Sequence, residues 1–161
     1  MTTHDPRLFA DDAAVRRVGI GLLDRTLPRA DWTHEAHLAA CLWLHRERSD
    51  INLAAEIPTI IAGYNLSVGG RNSDTEGYHE TITQAYVVLV AGFLADHDRG
   101  EPLVGLVNSL LRSPLGHRDA LLVHYSRERL FSIEARKGWI EPDLAPFAVH
   151  RAGADAAGAL G

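Results

Sequence analysis

Apolar residues along the chain recur at three- and four-residue spacing, which predicts a succession of helices, and no run reads as a strand. Within residues 5–27, Val15, Val18, Ile20, Leu22 and Leu23 mark a first helix that Pro28 ends. Asp31, Trp32 and Thr33 then supply cap residues before a second run through Leu38, Cys41, Leu42 and Leu44, closed by Arg46, Glu47 and Arg48. Residues 51–64 form a third helical pattern, bent or interrupted at Pro58, whose ring removes a backbone donor and crowds the preceding turn. The pattern breaks over residues 63–77, where four glycines mix with Asn65, Ser67, Asn72, Ser73 and Asp74. A loop of that length is expected to be functional or mobile.

Residues 78–98 read as the central helix, because 85–95 is apolar on nearly every face and such a helix is expected to be surrounded by others. A short helix over 102–111 is broken by Pro114, Leu115 and Gly116; another is predicted over 118–125, and Ser132 caps a last one over 134–137. From Pro142 the chain reads as extended, and 151–161 as a disordered Ala/Gly tail. The expected fold is all-α: a single domain over residues 1–150, with about six helices around the buried helix 78–98. At 161 residues the chain can bury a core without disulfides.

A net charge of -5 disfavours binding to nucleic acid, which usually demands a basic patch. The single cysteine, Cys41, excludes an internal disulfide and paired-cysteine zinc sites; it reads as a small buried hydrophobe. No basic stretch followed by an apolar run opens the chain, and the longest apolar run is about half of the roughly 20 residues that cross a bilayer. A cytoplasmic protein with no membrane partner is expected. The glycine-rich loop lacks the Gly-Lys-Ser/Thr ending of a phosphate-binding loop, and no Gly-x-Ser-x-Gly turn is present.

The concentrated polar chemistry lies at two helix starts. His34 and His37 are three apart, so both leave one helix face, and the stripe continues through Cys41 and Leu44. Two inward imidazoles either bond to carbonyls or to Asp31, or serve as ligands or acid/base groups; the spacing suits one metal ion if a third ligand joins. His79, Thr83, Tyr86 and Val90 form a stripe on the central helix, with Glu80 and Val87 beside it. Glu76 and His79 have the Glu-x-x-His spacing of di-iron bundles, but only one copy occurs. A second cluster runs through His124, Tyr125, Arg127, Glu128 and Arg129. Its arginines either clamp an anionic group of a substrate, with Tyr125 beside them, or form a solvated helix end. His45, His97, His117 and His150 read as surface residues.

Thr33-His34-x-x-His37-Leu38, Tyr78-His79-Glu80-Thr81-x-Thr83 and Tyr125-Ser126-Arg127, with Ser132, Ala135-Arg136 and Pro142-Asp143, resemble the pattern of a set of small all-helical bacterial proteins to which no activity is assigned. The resemblance covers about residues 30–145. It implies that His34, His37, His79, Glu80, Thr81 and Thr83 belong to one constellation, and it brings no reaction with it. The leading expectation is a small metal-dependent enzyme. His34, His37 and His79 would hold one divalent Fe, Zn, Cu, Mn or Ni ion, and Glu80 would be the acid/base. Thr83, Tyr78 and Tyr86 would shape the pocket, and the glycine-rich loop would form its lid. The substrate would be a small polar metabolite, anionic if Arg127 or Arg129 reaches it. Two alternatives stand beside it: a metal-free His/Glu isomerase or lyase with His37 or His79 as base, and a non-catalytic module that binds a small molecule or a protein. A homo-oligomer is left open.

Overall fold

A computed structural model describes residues 4–147. Among them the chain forms seven α-helices and no strand: α1 Asp12–Asp24, α2 His34–Glu47, α3 Leu53–Ser67, α4 Glu80–Ala95, α5 Leu103–Arg112, α6 Arg127–Leu130 and α7 Ile133–Lys137. Three 3-10 turns, Arg29–Asp31, Pro114–Gly116 and Ala120–Val123, join them into one all-α domain. The segment 151–161 lies outside the described residues.

Side-chain caps set most helix starts. Asp11 accepts from the Ala14 N–H at 2.8 Å, so α1 begins there rather than nearer residue 5; it ends at Arg25, whose left-handed backbone (φ 60°) turns its N–H back toward Gly21 and Leu22. Thr33 caps α2 by accepting from Ala36, and Ser126 and Ser132 do the same for α6 and α7. Asn52 caps α3, and Glu56 reaches back to the Asn52 N–H at 2.6 Å. Pro58 sits inside α3, which runs on to Ser67. A proline there cannot donate to the Ala54 carbonyl four residues back. That oxygen instead accepts from the Gln84 side chain of α4 at 2.8 Å.

The most deeply buried helix is α2, while α4, the helix expected at the centre, packs against α2, α3, α5 and α7. Every residue of α2 from Glu35 to Leu44 except His37 is buried. Ala36, Ala39 and Ala40 let neighbouring helices approach closely, and a Cβ on Gly19 of α1 would overlap the Trp43 ring. On α4 only Thr81, Ala85, Val87 and Val90 are fully buried, and Val88 is 51% exposed. A run apolar on nearly every face need not have every face covered, and single exposed apolar residues are common.

Two apolar clusters result. The larger joins α1, α2, α3, α5 and, through Val87 and Val90, α4, with Leu103, Leu106, Val107, Leu110 and Leu111 forming the inward stripe of α5. The smaller lies on the other side of α4, where Ala85 meets Leu121, Tyr125 and Leu130. Residues 118–125, expected as a helix, form only the Ala120–Val123 turn. No helix of the described residues is long and apolar enough to cross a membrane.

Candidate functional site

Leu22 of α1, Trp32 before α2, and residues of α2, α3 and α4 enclose a cavity of about 330 Å³. That is near the lower end of the roughly 300–1,000 Å³ of small-molecule sites. Its walls are mostly aliphatic, with Leu38, Leu44, Ile57 and Ile61 prominent. Its polar groups are His34, His37, Thr83, Tyr86 and Arg118. The H-x-x-H spacing therefore places both imidazoles on the cavity side of α2, and Trp32 lies against His37 with ring centroids 3.8 Å apart and planes 31° from parallel.

Each imidazole is oriented by the backbone. His34 Nε2 lies 2.9 Å from the Gly116 carbonyl oxygen, and His37 Nδ1 lies 2.7 Å from the Thr33 oxygen. A carbonyl only accepts, so each of those nitrogens carries the hydrogen. In the neutral rings Nδ1 of His34 and Nε2 of His37 are then bare lone pairs, and neither has a hydrogen-bond partner among the described residues. His37 lines the cavity and keeps accessible surface, while protein atoms crowd its ring. Burial lowers its pKa to about 4, outweighing the bond to Thr33, and nearby His34 adds to the fall. His37 is neutral at neutral pH.

Tyr86 is pushed up to about 12 by burial and by the Asp119 carboxylate, so its hydroxyl keeps its proton and can donate. Cys41 also lines the cavity, its thiol raised to about 12 by burial, which makes it the inert hydrophobe its surroundings in the sequence suggest.

The expected three-histidine grouping is not assembled. His79 is the N-cap of α4: Nδ1 accepts from the Ile82 N–H at 3.1 Å, and Nε2 donates to the Leu130 carbonyl at 2.9 Å. Both nitrogens are committed, and His79 is absent from the cavity wall. Among the described residues no three His, Cys, Asp or Glu side chains are placed to hold one ion. The donor set expected for Fe, Zn, Cu, Mn or Ni therefore does not fit.

The rest of the motif also divides. Thr83 reaches the cavity, while Thr81 donates to the Gly138 carbonyl at 2.9 Å and accepts from the Ile140 N–H at 3.2 Å. Glu80 and Tyr78 line a separate, shallow groove with Asp74, Arg136 and Lys137. There the Tyr78 hydroxyl donates to Glu80 at 2.7 Å, and burial together with that carboxylate raises its pKa. The glycine-rich loop borders this groove and not the cavity, so it is no lid over the histidines. It is pinned by Asn72, which accepts from Tyr78 N–H and donates to the Ala62 carbonyl.

The expected substrate clamp is corrected as well. Arg129 donates to the Glu141 carbonyl at 2.7 Å, Tyr125 to the Ile140 carbonyl at 2.8 Å, and Arg127 lies over the Phe131 ring. None of the three reaches the cavity; Tyr86 does. The cation that does is Arg118, which has no ion pair or hydrogen bond among the described residues. No local spacing marks it, since the chain is brought round to the cavity by the turn at Pro114–Gly116. Compared with protein-family models, with curated proteins and with solved structures, the chain finds no match in any of the three.

Proposed function

We propose that this protein is a metal-free acid/base enzyme acting on a small molecule in the cavity of α2, α3 and α4. The observation that carries this reading is the pair of oriented imidazoles, each with one nitrogen tied to a carbonyl and the other left as a lone pair. His37 is unprotonated at working pH, so its free lone pair can accept a proton, as a weak base whose pKa of about 4 lies below that pH. His37 Nε2 accepts a proton from a carbon next to a carbonyl, and the Tyr86 hydroxyl donates a hydrogen bond to the enolate oxygen that develops. With a β,γ double bond present, returning the proton to the γ carbon completes an isomerisation; loss of a leaving group from the β carbon completes an elimination. The base is thus paired with Tyr86 and Thr83 rather than with Glu80.

The test is exchange in deuterated water. A panel of small carbon acids incubated with the protein is expected to include members whose α-proton signals fade in NMR spectra. His37→Gln is expected to slow that exchange by about 10²-fold or more. Exchange that persists undiminished in His37→Gln removes His37 as the base, and saturable binding without exchange by any member leaves a binding module instead of an enzyme.

A further inference from the structure

We infer that the ligand of this cavity is a small monocarboxylate with an apolar body, its carboxylate on Arg118 and its body among Leu38, Leu44, Ile57 and Ile61. This rests on the cavity being a ligand site, and does not depend on whether proton transfer follows.

Three observations carry it. Among the residues that line the cavity, Arg118 is the only one with a permanent charge, and in a chain of net charge -5 it has found no acidic partner among the described residues. A guanidinium presents a planar fork that a single carboxylate fills with two parallel hydrogen bonds. The remaining wall is largely aliphatic, which favours a body with few polar atoms. The volume of about 330 Å³ equals roughly eleven waters at about 30 Å³ each, room for a molecule of roughly ten to fifteen non-hydrogen atoms.

The same surroundings select against a dianion such as a phosphate monoester. Asp119 is close enough to Tyr86 to oppose its ionisation, so a negative charge already stands near the polar end. A dianion would bring a second negative charge toward Asp119, whereas a monocarboxylate brings one.

The experiment titrates octanoate and 4-phenylbutyrate into the full chain by calorimetry and NMR, against octan-1-ol and 4-phenylbutan-1-ol, with phenyl phosphate as the dianion. Wild type, Arg118→Gln and Ile61→Trp are compared. Arg118 is exposed, so its substitution leaves the fold intact, whereas Ile61→Trp fills the cavity. The carboxylates are expected to bind wild type at least about tenfold more tightly than the alcohols. That preference is expected to vanish in Arg118→Gln, and both probe types to lose binding in Ile61→Trp. Alcohols binding as well as carboxylates, phenyl phosphate binding best, or a preference that survives Arg118→Gln each overturns the carboxylate assignment while leaving the cavity a ligand site. Failure of every probe to bind, or binding unchanged in Ile61→Trp, overturns the assignment together with the cavity itself.

Discussion

The segments before and after Pro114 are held in different ways. From α1 to α5 the chain is held by side chains packed around α2, where Leu42 has no exposed surface. From 114 to 147 the helices are a single turn or little more, so many backbone carbonyls have no partner of their own. Side chains answer them: His79 to Leu130, Thr81 to Gly138, Tyr125 to Ile140, His124 to Ala145 and Arg129 to Glu141. The comparison teaches that polar residues on a buried helix are not by themselves signs of chemistry. In this protein several are the fastenings of a segment too irregular to close its own hydrogen bonds.

The sharpest way to break the contrast is Leu42→Ala. It is expected to cost about 2–5 kcal/mol by opening a cavity in α2's surroundings, seen as a lowered denaturation midpoint for every spectroscopic reporter. Loss confined to residues 114–147 would show that α2 is not the common core. A smaller and more local effect is expected of Thr81→Val, which strands the Gly138 carbonyl and the Ile140 N–H, at about 1–3 kcal/mol. Hydrogen exchange should quicken in 126–147 and stay slow in α2; uniform quickening would dissolve the distinction between the two regions.

A third effect is one of pH. His37 has its folded pKa lowered from 6.5 to about 4, so between those values the unfolded chain binds more protons than the folded one. Its contribution to stability is fully present above 6.5 and is lost as pH falls toward 4. His45 and His79 are shifted the same way by burial, so His37→Gln should reduce the acid-side fall by up to one proton's worth of slope without abolishing it. Denaturation midpoints across that window measure this, and an unchanged slope would place His37 in bulk water in both states.

Helix positions were legible because caps and apolar spacing are local signals; Thr33 before α2 and Ser132 before α7 behave as read. The pairing of His34 with His37 was legible for the same reason, since one turn of helix settles it. What could not be read was direction. His79 stands where α4 begins, and its ring turns back to cap Ile82 instead of crossing to α2. A residue just ahead of a helix is as readily a cap as a ligand, and that signal was present in the sequence. The exchange of Arg127 and Arg129 for Arg118 depends on how the chain turns at Gly116, which no periodicity encodes.

The bond between Gln84 and the Ala54 carbonyl has a mechanical consequence. Helices packed only by aliphatic side chains can ratchet past one another by a turn, about 5.4 Å, and repack with little change in buried area. Here such a step would carry Gln84 away from the oxygen that Pro58 left open. Gln84 therefore favours one register of α3 against α4, the one in which Ile57 and Ile61 share a cavity with Tyr86 and Val87. Whatever enters between them meets walls whose alignment is set in advance.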